Sequence, residues 1–371
     1  MRSVCLVNPT VILKRPVVEI LQRLDGDIGL LCPKLLFRKP DSGVHYAVPA
    51  HARVYTYSVI QPPGASEWPI PVTPMFLVQL MRVLWRYAVV HMWTYFYLSS
   101  VCAFLGALLS RRRLILTMDT VPACSFSMGT FMDTAFRLYH RTLCPLFMRI
   151  PSRVTLYGES LVPCARSIGI PKKSIQVIPT GIEPTQFDGE TEIDIRTEFS
   201  AGEKPIILFV GLLVPRKGVD ILLKAAREVD AMFLVVGDGP GRREYERMRD
   251  EEGMSEKVIF TGRRRDMGRL YRGSDIFFLP SRGEGLAGVI MEAMAAGLPV
   301  VSSRIACTTD LVDDGKTGYL CGMEDAGCYA QRLSALAHDR ERRVTMGTAG
   351  RRKIEGFTWE HVMERYKGLY G

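Results

Sequence analysis

A chain of 371 residues is too long for one ordinary core and predicts two domains of roughly 150–200 residues each. Apolar residues make up 47% and charged residues 23%, which excludes a disordered or fibrous chain. The formal charge of +9 arises wholly in the first half: residues 1–180 hold 20 Lys/Arg against 8 Asp/Glu, and residues 181–371 hold 28 against 31, so that the first half invites an anionic partner.

The opening "MRSVCLVNPT" has no long signal-type apolar core and reads as a first strand. Further candidate strands are "IGLLCP" (28–33), "RVYTYSV" (53–59), "YAVVH" (87–91), "LILTMD" (114–119) and "RVTLYG" (153–158). Residues 88–109 run 22 positions without a formal charge; as one helix they would be about 33 Å long and could cross a bilayer. A buried strand followed by a buried helix is preferred, because another buried strand follows at once. Two runs, "MFLVQLMRVLWRY" (75–87) and "FMDTAFRLYHR" (131–141), combine apolar stripes with arginines. In the first, Phe76, Leu77, Leu80, Met81 and Leu84 share one stripe. Such helices face a core or lie in a lipid interface. Nine cysteines, scattered and without a CxxC pair, predict neither a disulfide framework nor a zinc site and fit a reducing compartment.

The second half alternates more clearly. "PIILFVG" (205–211), "AMFLVVGDG" (231–239), "KVIFTG" (257–262), "DIFFLP" (275–280) and "PVVSS" (299–303) are strands, with helical spacing between them. Continuous apolar strands alternating with helices imply a parallel sheet covered on both faces. "VIPTGIEPTQF" (177–187) reads as the crossover between two doubly wound domains.

Within "EGLAGVIMEAMAAG" (284–297) two carboxylates, Glu284 and Glu292, stand eight positions apart. Eight helical residues advance about 12 Å and turn about 80° off one face, a poor fit to a hydrolytic carboxylate pair. Glu284 instead follows a strand end, where open α/β sheets bind ligands. Gly285 and Gly288 permit close backbone approach, and the helix-start amides near Leu286, Ala287 and Gly288 suit a diphosphate. The pattern describes a nucleotide-sugar site.

"EGLAGVIME" followed by "AMAAGLPVV" resembles the E-x7-E motif of glycosyltransferase family 4, the group 1 glycosyltransferases, which are retaining enzymes of GT-B fold. The resemblance continues in "VGLLVPRKGVDILLKA", "VVGDGP", "VIFTG", "YRGSDIFFLPS", "LVDDGKTGYL", "VIPTGIEPTQF" and the terminal "FTWEHVMERY". It is strong over residues 150–371 and weak before them. It implies that Glu284 contacts the donor sugar and Glu292 the ribose. Lys217 neutralises the diphosphate, helped by the helix-start amides. Gly211, Gly237, Gly239, Gly262 and Arg263 line the donor pocket. Leu212 stands where many members carry arginine, and Arg216 is the substitute. "VNPTVILKRP" stands in place of a glycine-rich loop, and Met118–Asp119 where a histidine is frequent. The acceptor-side polar group is therefore open between Asp119 and His91, and His91 also fits a satisfied structural histidine.

The resemblance implies two Rossmann-like domains facing across a cleft. These are an acceptor-binding domain at 1–187, with a C-terminal helix at 357–371 packing back on it, and a donor-binding domain at 188–356. It implies retaining transfer of a hexosyl-type sugar from a UDP-, GDP- or ADP-sugar, with no metal and no other cofactor. "DGD" (25–27) matches a DxD metal motif but reads as a turn. The basic first half favours a lipid or lipid-linked glycan acceptor and an anionic membrane surface as partner. The enzyme is then expected in the cytoplasm, peripheral on the inner membrane face. No nucleic acid is expected, because no recognised module accompanies the aromatic–basic interleaving. Two other readings use the same residues: a different GT-B enzyme such as a nucleotide-sugar epimerase, or a non-catalytic membrane-associated relative.

Overall fold

The computed structural model describes residues 3–371 other than 11–12, 36–47, 61–68, 72–73, 128, 189–194 and 286. The chain divides into two compact units, Met1–Gly181 with Trp359–Gly371, and Ile182–Thr358. Each buries its central strands on both faces, which is why these read as unbroken apolar runs.

The first unit contains strands β1 (Val4–Val7), β2 (Ile28–Leu35), β3 (Arg53–Ile60), β4 (Ile70–Pro71), β5 (Val89–Trp93), β6 (Arg113–Met118), β7 (Arg153–Leu156) and β8 (Ile175–Val177). Their order in the sheet is β4-β3-β2-β1-β5-β6-β7-β8. All pairings are parallel except the antiparallel β3–β4. The order reverses direction between β1 and β5, a topological switch point. Its helices include α1 (Arg15–Arg23), α2 (Met75–Arg86), α3 (Leu98–Ser110) and α4 (Thr130–Thr142). The uncharged run 88–109 is thus divided between β5 and α3. Among the described residues no helix is long and apolar enough to cross a membrane.

The sequence stripe on α2 is corrected in part. Phe76, Leu80, Val83 and Leu84 are buried, whereas Leu77 and Met81 are exposed. The last helix, Trp359–Tyr370, buries Trp359, Val362, Met363 and Tyr366 in one cluster with Val4, Leu6, Val17 and Leu21. Gly181 admits this packing: a Cβ there would sit 2.3 Å from Trp359 Cδ2.

The second unit contains β9 (Ile206–Val210), β10 (Met232–Val236), β11 (Val258–Gly262), β12 (Ile276–Leu279), β13 (Val300–Ser303) and β14 (Gly318–Cys321). The sheet is wholly parallel, in the order β11-β10-β9-β12-β13-β14. Its switch point lies between β9 and β12.

Where the sequence predicts no disulfides, the structure has two. Cys124 is bonded to Cys164, and Cys321 to Cys328. Their separations of 40 and 7 residues carry no local signature; the fold alone brings them together. Cys5, Cys32, Cys102, Cys144 and Cys307 are free.

Candidate active site

The loops after β9 and β12 leave the second unit's switch point side by side, because these strands are neighbours. Pro215–Lys217 make a single tight turn, and Gly218 begins the helix Val219–Ala226. Gly218 is required twice over. Its φ is +71°, and a Cβ would lie 2.0 Å from Pro280 O. This close approach delivers Lys217 to Glu284. Lys217 Nζ donates to both carboxylate oxygens, at 2.7 and 2.8 Å, and the Glu284 side chain is only 3% exposed. A buried carboxylate of this kind needs such a partner.

Arg216 sits beside the pair. Its Nη1 donates to Gly283 O and lies 3.9 Å from Glu284 Oε2. The turn is braced from behind. Arg282 N and Ser281 Oγ both donate to Arg216 O, at 2.7 and 3.0 Å. The Arg282 guanidinium forks onto Asp220 at 2.9 and 2.7 Å, onto Glu324 at 2.7 and 3.0 Å, and onto Pro215 O at 2.6 Å. The hydrogen bonds it donates to Asp220 and then to Glu324 hold that guanidinium above its ordinary pKa.

The helix Gly288–Ala295 starts just beyond Glu284. The amides of a first helical turn have no acceptor within the helix. Ala287 is buried at its N-cap, and a Cβ on Gly288 would meet nothing within 4 Å. Leu286 lies outside the described residues. Glu292, one turn in, is half-buried and accepts from Tyr271 Oη at 2.9 Å.

The expected donor-pocket glycines interlock three loops. Gly211 N donates to Val236 O and Gly237 N to Gly262 O, both at 2.9 Å. A Cβ on Gly237, whose φ is +135°, would lie 1.9 Å from Gly211 O; one on Gly239 would lie 2.5 Å from Leu213 O. Backbone contact alone therefore demands both glycines. Gly262 has φ +72° and faces the Arg242 guanidinium. Arg263 and Leu212 are exposed.

In the first unit, Asp119 follows β6 at the C-terminal edge of the sheet and is ion-paired with Lys14. Lys14 N donates to the side chain of Asn8, itself buried just after β1, at 3.3 Å. His91 lies in the interior on β5. Its Nδ1 is 2.6 Å from Tyr370 Oη and its Nε2 2.6 Å from Thr117 Oγ1, and the ring stacks on Trp93 at 4.1 Å. Burial pushes its pKa down to about 3. Both nitrogens are therefore engaged inside the unit. Lys14, Tyr271 and Arg282 escape sequence reasoning, since their partners lie 105, 21 and 62 residues away. Among the described residues, no group of three or more His, Cys, Asp or Glu could hold a metal ion.

Residues 190–353 match a family model described as "Glycosyl transferases group 1". The GDP-mannose-dependent alpha-(1-6)-phosphatidylinositol monomannoside mannosyltransferase of Mycolicibacterium smegmatis is 30% identical over 206 residues, which is 51% of this chain and 54% of that protein. The D-inositol 3-phosphate glycosyltransferase of Nocardia farcinica is 30% identical over 211 residues, 53% of this chain and 47% of that one. The chain thus spans about half the length of these curated relatives. Among solved structures, Anabaena HepE in complex with UDP and glucose aligns with a TM-score of 0.80 at 17% identity, over 100% of this chain and 99% of that one. Sucrose-phosphate synthase from Thermosynechococcus elongatus gives 0.77 at 19%, over 100% and 98%. At these identities the structural likeness is one of fold. The chain therefore has the GT-B fold, and its second unit matches the model of the group 1 glycosyl transferases.

Proposed function

We propose that the protein is a retaining glycosyltransferase that moves a hexosyl-type sugar from a UDP-, GDP- or ADP-sugar to a lipid or lipid-linked glycan. The observation that carries this reading is the buried Lys217–Glu284 pair at the switch point of the second sheet. In this reading the second unit binds the donor and the first the acceptor. Lys217, Arg216 and the amides at Leu286, Ala287 and Gly288 stabilise the charge that grows on the departing diphosphate. Glu284 orients Lys217 and accepts from donor sugar hydroxyls, while Glu292 accepts from the ribose. The backbone at Gly211, Gly237, Gly239, Gly262 and Arg263 lines the base pocket. The sugar–phosphate bond breaks as the acceptor oxygen bonds to the same face of the sugar, and the acceptor proton passes to the leaving phosphate. Asp119 is the acceptor-side polar group. His91 is assigned a structural place instead, since both of its nitrogens are engaged. No step uses a metal or a further cofactor.

The group 1 match supports the reaction class. The relatives, which include a phosphatidylinositol monomannoside mannosyltransferase, support the acceptor class. The inner membrane face is the proposed location; the two disulfides oppose a reducing compartment, and thiol labelling decides the matter. A thermal-shift panel of UDP-, GDP- and ADP-sugars tests the donor. A ligand at one hundred times its Kd stabilises by about 2.7 kcal/mol, and no shift with any of them would sink the reading. Products formed without an acceptor would favour an epimerase.

A further inference from the structure

The first unit carries apolar surface that its core does not use. The inner face of α2 is buried, yet its outer face presents Val78, Met81 and Trp85, one helical stripe. Trp85 is 74% exposed, and Leu109 at the end of α3 is 85% exposed. The two helices pack directly: a Cβ on Gly106 of α3 would lie 2.6 Å from Leu84 Cδ1 of α2. Arg112 ties their C-terminal ends together, with Nε donating to Leu84 O at 2.8 Å and Nη2 to Trp85 O at 3.1 Å. Trp85, Leu108 and Leu109 therefore share one end of the helix pair with Arg82, Arg111 and Arg112. These three arginines have no carboxylate at ion-pair distance among the described residues. Arg86, by contrast, is committed to Asp27, with both oxygens at 3.0 Å. Contiguous exposed apolar groups of this size mark an interaction surface, and tryptophan with arginine is the composition of an interfacial helix.

We infer that the outer faces of α2 and α3 dock on an anionic lipid bilayer. Trp85, Leu108 and Leu109 enter the acyl boundary, and Arg82, Arg111 and Arg112 meet the headgroup phosphates. The proposal deepens the membrane-facing part of the proposed function by naming its surface. Charge decides the occupant. A second copy would set the same arginines against each other, in a half of the chain with 20 Lys/Arg and 8 Asp/Glu; an anionic bilayer attracts them. The docking end lies where β5 and β6 begin, and Asp119 lies where β6 ends, about 20 Å away along six residues of strand, so lipid docking leaves the acceptor-side edge uncovered and within reach of a lipid-linked glycan rather than of a bare headgroup.

Flotation of the full chain with phosphatidylcholine vesicles, with and without phosphatidylserine, tests this at low salt. The wild type is expected to float with the anionic vesicles. Trp85→Ser with Leu109→Ser should lower partitioning at least tenfold, by the loss of buried apolar area. Arg82→Gln with Arg111→Gln should lower it roughly 25-fold on anionic vesicles, about fivefold per arginine, and leave neutral vesicles unaffected. Unchanged donor-induced thermal shifts show that the variants are folded. Wild type that fails to float, variants that float like wild type, or light scattering showing a dimer broken by the Trp85/Leu109 variant would each overturn the proposal. Flotation in a protein that transfers no sugar supports the surface and sinks only the catalytic reading.

Discussion

Lys217 Nζ contacts both oxygens of Glu284, at 2.7 and 2.8 Å, so each side chain is the other's main counter-charge. In the proposed function, the cation that meets the diphosphate is thus kept in place by the carboxylate that meets the sugar. Removing Lys217 leaves the buried Glu284 with only Arg216, 3.9 Å from its Oε2, as a counter-charge.

Lys217→Ala should therefore fail in two ways. It should cost up to about 3–5 kcal/mol in urea unfolding, the penalty for stripping a buried charge of its main partner. It should also cut sugar transfer by about 100- to 1,000-fold, as loss of a charge-stabilising donor does. The Lys217→Ala/Glu284→Ala double variant should unfold later than Lys217→Ala alone. Transfer within a few-fold of wild type would remove Lys217 from the site.

Tyr271 Oη donates to Glu292 at 2.9 Å from a fully buried ring. Tyr271→Phe removes one hydrogen bond worth about 1 kcal/mol. Donor KM should rise roughly fivefold on that basis, with kcat within about twofold. Glu292→Ala should raise KM further. A fall in kcat alone would detach this pair from ribose binding.

Gly237→Ala should destabilise the second unit far more than Gly253→Ala. Both have positive φ, which costs a Cβ-bearing residue about 1–2 kcal/mol. Only at Gly237 does the added Cβ strike backbone, 1.9 Å from Gly211 O; at Gly253 it meets nothing within 4 Å. Thermal unfolding should show Gly253→Ala within a few degrees of wild type and Gly237→Ala well below it. Equal losses would contradict the interlocked loops.

Histidine burial gives stability a pH dependence of definite sign. His91 is held near a pKa of about 3, below the ordinary 6.5, by burial, and His140 is lowered in the same direction for the same reason. Between those values the unfolded chain takes up a proton that the folded His91 does not. Stability is then complete above about pH 6.5 and falls as pH drops toward 3, by up to about 1.4 kcal/mol per pH unit per proton. Urea titrations of wild type at pH 7, 6 and 5 should show the decline, and His91→Gln should flatten it. An undiminished slope in the variant would place the proton uptake elsewhere.

The paired cysteines report the compartment. Alkylation of purified, unreduced and denatured protein should label five of the nine cysteines, and reduction should expose the other four. Protein acid-quenched straight from a reducing cytosol should label at all nine. Five labels directly from cells would overturn the proposed cytoplasmic placement.

The central strands are legible because burial on both faces leaves no polar position to interrupt them. "PIILFVG" contains Ile206–Val210, and "DIFFLP" contains Ile276–Leu279. The edges are not legible. β4 is two residues long and β8 is half-buried, so neither makes an apolar run. On α2 two apolar faces compete, and spacing alone could not tell that Leu77 and Met81 point outward. At the site, Glu284, Glu292 and Lys217 stand out through motif order. Tyr271 and Lys14 do not, because their roles exist only once distant segments meet. The cysteine pairing was lost for the same reason.

The chain leaves the first unit at Gly181 and returns to it at Trp359, and Tyr370 there is a hydrogen-bond partner of His91. The half that is synthesised first is therefore completed last. Residues 182–358 can close as soon as they emerge, whereas the interior around His91 and Trp93 waits for the final helix. A nascent chain arrested before Trp359 would carry a finished second unit on an unfinished first.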